Sequence, residues 1–236
     1  MLYRGLKFRT EQKYYLHMHD YLALRARISQ LLKLDEHTVG IDGYNIRSLY
    51  FDDPRRTSLE TKNDGVFKRQ KFRIRIYNNS DNYIVLERKN KHGEYVSKES
   101  VRLTRAQYDE IIEGNYTCLH DMDDTLALDF YAHLTSYGYL PSVIVDYWRE
   151  AYIYREGNVR VTFDKRLSVA VNQNDVFHPD LLFSEIIQPS LTIMEVKFDE
   201  FLPMNVRALL KPVASLRSSI SKYVLCKEQK MLMHTQ

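Results

Sequence analysis

Three short strings in this chain, Glu11-Gln12-Lys13, Glu87-Arg88-Lys89 and Glu195-Val196-Lys197, share the pattern Glu-x-Lys. In an extended strand, residues two apart lie on the same face, so each string sets a carboxylate beside an ammonium group. The surrounding segments extend the pattern. Lys71, Arg73 and Arg75 alternate with Phe72, Ile74 and Ile76, and Glu87, Lys89 and Lys91 stand opposite Ile84 and Leu86. Arg160, Thr162 and Asp164 alternate with Val159, Val161 and Phe163, and Glu195, Lys197 and Asp199 with Met194, Val196 and Phe198. Clustered guanidinium and ammonium groups hold anions through charge-assisted hydrogen bonds, and carboxylates among them are ligands for a hard divalent cation.

Any one such strand, taken singly, reads as half solvated, its charges in water and its apolar face on a core. The elements around the strands argue otherwise. Period-2 alternation marks strands at 6–16, 45–53, 67–77, 82–91, 95–103, 142–154, 158–166 and 191–199. Turn residues at 78–82, 92–94 and 156–158 join several of them as hairpins, so the sheet is antiparallel and able to close on itself. Helical stripes fall at 21–34, 104–113, 123–137, 206–210 and 219–231, and 172–190, with Pro179 and Pro189, reads as an irregular excursion. The apolar stripes need a partner, and the outside of a closed barrel supplies one. The reading is α+β: an eight-stranded antiparallel β-barrel tunnel with a charged lumen and helices packed outside, one unit over 1–236. The stretch 68–77 holds no acid to neutralise its own cations, so the economical occupant of the lumen is a polyanion, bridged to the carboxylates by a divalent metal.

Composition narrows the function. With 34 Lys+Arg against 31 Asp+Glu, the net charge of +3 gives no reason to expect a nucleic-acid partner. No apolar h-region opens the chain and no stretch is long enough to span a bilayer, so the expectation is a cytoplasmic protein with Cys118 and Cys226 as reduced thiols. The 8 histidines, His17 and His19 included, show no zinc spacing. The 18 tyrosines follow no single face and read as packing rather than base-stacking platforms.

Seven strings in order resemble the triphosphate tunnel metalloenzymes, and within them the polyphosphate-polymerase domain of the vacuolar transporter chaperone (VTC) family. They are Arg47-Ser48-Leu49-Tyr50-Phe51-Asp52-Asp53, Arg69-Gln70-Lys71-Phe72-Arg73-Ile74-Arg75-Ile76-Tyr77, Glu87-Arg88-Lys89, Arg149-Glu150-Ala151-Tyr152, Val159-Arg160-Val161-Thr162-Phe163-Asp164, Glu195-Val196-Lys197-Phe198 and Ser221-Lys222-Tyr223. The resemblance implies that the γ-phosphate of ATP passes to a growing polyphosphate chain. It implies phosphate contacts from Lys13, Arg73, Arg75, Lys89, Lys98, Arg149, Arg160 and Lys222, with Glu195 holding Mn2+ or Mg2+ and Glu87 as second carboxylate. Lys71 and Lys197 join the phosphate contacts by their place on the same faces, and Arg73, Arg75, Lys89, Arg160 and Lys222 are the expected catalytic set.

Larger eukaryotic members carry a phosphate-sensing domain and membrane helices, which this sequence lacks, so a separate membrane protein is the expected partner for export. Lys98 and Arg149 fit either face of their strands, and Lys222 opens a helix, where a cation is not favoured unless an anion joins it. Two other functions stay open. A triphosphate hydrolase would use Glu11, Glu87, Glu195 or Asp199 to activate water, and a non-catalytic tunnel would sense polyphosphate. In an empty lumen, neutralising Arg73 or Arg75 is expected to relieve repulsion and raise stability slightly.

Overall fold

The computed structural model describes residues 2–3, 6–38, 40 and 42–233, so the expected unit 1–236 extends past them at both ends. In chain order the elements are β1 (Leu2–Tyr3), β2 (Leu6–Lys7), β3 (Arg9–His17), α1 (Met18–Ile28), β4 (Lys33–Leu34), β5 (Tyr44–Asp52) and α2 (Thr57–Asn63). They continue with β6 (Lys68–Tyr77), β7 (Ser80–His92), β8 (Tyr95–Leu103), α3 (Arg105–Glu113), α4 (Thr117–His120), α5 (Thr125–Ser136) and β9 (Leu140–Tyr154). The last are β10 (Val159–Ala170), β11 (Phe183–Glu185), β12 (Leu191–Phe198), α6 (Met204–Leu210) and α7 (Lys222–Met233).

Eight strands pair in the order β10-β12-β3-β8-β7-β6-β5-β9, and β9 pairs with β10 to close the ring; β11 and β4 flank it. All of these pairings are antiparallel. The expected eight-stranded ring is therefore present. Its hairpins are tight where the residues allow it. Tyr77 pairs with Ser80 across Asn78-Asn79, both at positive φ, the conformation that matches strand twist in a two-residue turn.

Most helices cover the outside. Leu49, Phe51, Phe72, Ile74, Ile84 and Leu86 pack against Tyr108 and Ile111 of α3 and Leu126, Phe130 and Leu134 of α5. The Phe130 ring stands 4.9 Å from Phe51 and 5.2 Å from Phe72, centroid to centroid. On the other side Val161, Phe163, Met194 and Val196 pack against Tyr21, Leu24 and Ile28 of α1 and Val206 and Leu210 of α6. Each side chain so buried contributes roughly 1.5–3 kcal/mol, so the hydrophobic stabilisation lies outside the ring.

One helix does not stay outside. Tyr223, Val224 and Cys226 of α7 pack with Val143, Val145, Leu167, Val169 and Ile193, residues on the lumen side of β9, β10 and β12. A register shift between Lys165 and Ser168, with Arg166 at φ 54°, makes this possible. By moving the strand out of phase it turns Leu167 and Val169 to the face that Arg160 and Asp164 occupy earlier. Charged lumen gives way to apolar lumen within one strand, and α7 fills the apolar end.

Several boundaries differ from expectation. Helix α1 begins at Met18 and stops at Ile28 rather than running 21–34, because Lys33 and Leu34 pair with Ile153 and Tyr152 as a strand. Helix α2, with Leu59 alone as a large apolar residue among its 7, shows no apolar stripe and was not legible. Thr104 caps α3 in a capping box with Gln107, and Asp124 caps α5, as their residue types indicate. Among the described residues, no helix is long and apolar enough to cross a membrane.

Candidate functional site

The ring surrounds a charged cavity walled by Glu11, Lys13, Lys71, Arg73, Arg75, Lys89, Arg149, Glu195, Lys197 and Lys222. A second cavity shares Glu11, Arg73, Arg75, Lys89, Arg149 and Lys197 and adds Arg9, Lys98 and Arg160 toward the opposite end. The space is continuous along the ring axis. All ten expected phosphate-binding side chains line it, including Lys98 and Arg149, whose strand face the sequence left open. Register sets the arrangement: Arg73 lies across from Glu87, Glu195 from Lys13, and Lys197 from Glu11 on paired strands.

Glu195 sits at the centre of a dense ion cluster. Its Oε1 accepts from Lys222 Nζ at 2.6 Å and lies 3.3 Å from Lys13 Nζ; its Oε2 accepts from Lys197 Nζ at 3.0 Å and Arg149 Nη2 at 3.4 Å. Asp164 accepts a bidentate pair from Arg149 at 2.6 and 2.7 Å and stands 2.5 Å from Lys222 Nζ. Glu11 takes Lys89 Nζ at 2.8 and 3.0 Å and neighbours Lys13 and Lys197. Burial pushes all three carboxyls up, but the cations around them prevail and hold each below its ordinary value: Lys89, Lys13 and Lys197 at Glu11, Arg149 and Lys222 at Asp164, and Lys197, Lys222, Lys13 and Arg149 at Glu195. The lysine between Asp164 and Glu195 answers in kind: burial lowers Lys222, and the two acids more than reverse it.

Glu87, expected as a metal ligand, is 1% exposed and enclosed by cations of the lumen wall. Its Oε2 accepts from Arg73 Nε at 2.6 Å and its Oε1 from Lys98 Nζ at 2.7 Å, with Arg75 Nη1 at 3.6 Å. It acts as the anchor of three cations. These ion pairs also reverse the expectation that neutralising Arg73 or Arg75 would stabilise the empty protein, since losing either strips a buried carboxylate of a partner.

Aromatic rings complete the wall. Tyr147 receives a hydrogen bond from Arg75 at 3.3 Å, and Lys222 Nζ stands 5.0 Å from its ring; Tyr50 receives one from Arg73 at 2.8 Å. Lys71 Nζ lies 4.1 Å from the Tyr223 ring, buried and without a hydrogen-bond partner. Burial drives this lysine well below its usual range, with Asp52 opposing and the cations Lys89, Lys13 and Arg69 reinforcing. Lys89 is pushed down to about 7 by burial, against the pull of Glu11. Gly43 lets the backbone close on this wall: at φ 84°, a Cβ there would stand 2.0 Å from the Arg149 carbonyl oxygen.

Residue roles were missed where only neighbours reveal them. Asp164 shared the face of Arg160 but had no visible partner until β9 lay beside it. Tyr147 shares strand parity with Arg149, a signal that could have found it. Arg160 donates to Tyr44 at 2.9 Å and pairs with Asp35 at 3.0 Å.

Among the described residues, no three His, Cys, Asp or Glu side chains converge as a metal cage. Mg2+ and similar ions are commonly held by one or two carboxylates together with substrate phosphates, and the donor set fits that mode. Glu11 and Glu195 both line the cavity and are linked through Lys13 and Lys197.

The chain is similar to several solved structures. A protein of Bacillus halodurans described as a candidate adenylate cyclase is 13% identical over 92% of this chain and 95% of its own, with a TM-score of 0.52. A Pyrococcus horikoshii protein is 14% identical over 97% and 99% (TM-score 0.46), and the Mimivirus capping enzyme triphosphatase is 10% identical over 90% and 90% (TM-score 0.41). At such identity the first likeness is one of fold alone. No curated protein matches the chain. The VTC domain family matches residues 8–229, and with nearly the whole length matched, the chain belongs to the VTC domain family.

Proposed function

We propose that this protein binds ATP and polyphosphate in its tunnel and transfers the γ-phosphate of ATP to the growing polyphosphate chain. Membership of the VTC domain family supports triphosphate- or polyphosphate-related chemistry. The observation that carries the finer reading is the state of the lumen acids. Glu11, Glu87, Asp164 and Glu195 are all tied to cations and held below their ordinary values. A hydrolase needs a carboxylate free to take a proton from water; none of these four is poised for it, and Asp199, the remaining candidate, pairs with Arg9 at 3.1 Å. A terminal phosphate acceptor is already anionic and needs no base.

In the proposed reaction, a terminal oxygen of the acceptor chain forms a bond to the γ-phosphorus. The bond from that phosphorus to the β–γ bridging oxygen breaks, and ADP leaves with the electron pair. Phosphoryl transfer is dominated by positioning and charge neutralisation. Arg73, Arg75, Lys89, Arg149 and Lys222 surround the space where three phosphates would lie, and Lys13, Lys71 and Lys197 extend it. Lys98 and Arg160 serve the opposite rim. A divalent ion, Mn2+ or Mg2+, arriving with the phosphates would neutralise further charge on the transferring group, and Glu195, with Glu11 beside it, would hold it. Glu87 keeps Arg73 and Arg75 in place.

The test is direct. Pure protein incubated with ATP and manganese, its products run on a polyacrylamide gel, should give a polyphosphate ladder. Free phosphate without a ladder would replace this reading with hydrolysis, and unchanged ATP would rule out both.

A further inference from the structure

The two ends of the tunnel differ in how their cations are partnered. At one end Arg9 pairs with Asp199 at 3.1 Å, Arg160 with Asp35 at 3.0 Å and Lys98 with Glu87 at 2.7 Å. At the other end the cavity wall carries Lys62 from α2, Arg69 and Lys71 from β6, and Lys91 from β7. No carboxylate lies within ion-pair distance of any of these four among the described residues. Arg69 reaches only the carbonyls of Thr61 and Lys62, at 3.3 and 3.4 Å, and the buried Lys71 Nζ reaches no acceptor at all. All are half-buried. Burial weakens the protonated form of each; at Lys62, Lys71 and Lys91 neighbouring cations, Arg69 among them, add to the effect, while Glu228, Asp52 and Glu11 respectively oppose it from beyond ion-pair distance.

Half-buried cations gathered without a paired carboxylate are unfavourable, and a fold keeps such a group where an anion completes it. The central cluster already offers enough donors for three phosphates. We propose that Lys62, Arg69, Lys71 and Lys91 form a separate subsite for the phosphates of a linear condensed chain beyond the third, so that the polyanion lies with its extended part toward α2 and α7. This rests on the proposed function above and adds to it the orientation of the chain and a reason for preferring long chains to triphosphate. Helix α2, which supplies Lys62, and helix α7, whose Ser221 and Lys222 flank the same opening, become the frame of a mouth through which the chain passes.

The experiment compares the wild-type protein with the double variant Lys62→Gln/Arg69→Gln, measuring Kd for tripolyphosphate and for a long-chain polyphosphate across a salt series. The double variant should bind tripolyphosphate within about twofold of the wild-type protein, while its affinity for the long chain falls at least about tenfold. Its salt slope for the long chain should shrink by about two, roughly one per cation removed. Its melting temperature without ligand should not fall, because repulsion is relieved. Lys91→Gln, on the neighbouring strand, gives the same comparison should the double variant fold poorly. Equal losses for both ligands, or no loss for either, would overturn the subsite while leaving tunnel binding intact. A wild-type protein that binds neither ligand would overturn the proposed function itself. An oligothymidylate of equal charge that binds more tightly than polyphosphate, through the same two residues, would assign the mouth to a different polyanion and sink the proposal.

Discussion

Arg149 and Glu150 are neighbours in sequence and face opposite sides of one strand. Arg149 reaches into the tunnel and grips Asp164 at 2.6 and 2.7 Å. Glu150, 0% exposed, turns outward beneath α1 and accepts from Tyr21 at 2.7 Å, Arg25 at 2.6 Å and Tyr152 at 2.5 Å. Two adjacent charges therefore serve two unrelated purposes, ligand recognition and the docking of a helix, because a strand alternates its side chains between its faces.

That division predicts that Glu150→Ala damages stability alone. It leaves two buried tyrosine hydroxyls and a guanidinium without their acceptor, a loss on the order of 3 kcal/mol. Urea denaturation should show a lowered midpoint, while calorimetric titration of the folded variant with tripolyphosphate gives the wild-type Kd. A clear loss of affinity would mean that Glu150 acts on the tunnel.

Arg73→Ala should destabilise the empty protein, by roughly 1–3 kcal/mol, since Glu87 keeps Lys98 and Arg75 but loses its closest partner. The stabilisation gained from added tripolyphosphate should also shrink. Thermal melts with and without ligand check both parts. A variant more stable than the wild-type protein would show that repulsion among the lumen cations outweighs their pairing.

Glu195→Gln removes the negative centre around which Lys13, Arg149, Lys197 and Lys222 gather. In the presence of a chelator, tripolyphosphate should bind as well or better, because the freed cations turn to the ligand. Manganese-dependent turnover should fall by at least about tenfold. Wild-type manganese dependence in this variant would remove Glu195 from the proposed metal site.

The lumen lysines make ligand binding depend on pH. Lys89 is pushed down to about 7 by burial, and Lys71 is lowered by the same cause. An unfolded lysine titrates near about 10.4. Between these values the unfolded chain holds protons that the folded one lacks, so stability without ligand should rise as pH is raised from about 7 toward 10. Lys13 and Lys222, raised in the fold, keep their protons in both states over that range and add no slope. A phosphate chain supplies counter-charge and restores the protons, so binding at pH 8 should take up protons and affinity should fall from pH 7 to 9. Calorimetry in buffers of different ionisation heat reads the uptake; a value of zero would contradict the account.

By itself the sequence determined which faces carry charge. Alternation along 67–77, 82–91, 158–166 and 191–199 placed Lys71, Arg73, Arg75, Glu87, Lys89, Arg160, Glu195 and Lys197 on one side of the sheet, and the helical stripes made that side the inside. Period and polarity are local properties, and local properties survive in a linear string. Tertiary structure alone decided who partners whom. Glu87 became the anchor of one set of cations and Glu195 the hub of another, although both sit in the same Glu-x-Lys pattern, because strand register brought Arg73, Arg75 and Lys98 to one and Lys13, Lys197, Arg149 and Lys222 to the other. The bulge after Lys165 and the entry of α7 into the apolar end were likewise unreadable. A one-residue shift inverts the face of every residue after it, and only the fit of β10 against its neighbours and α7 fixes where that shift occurs.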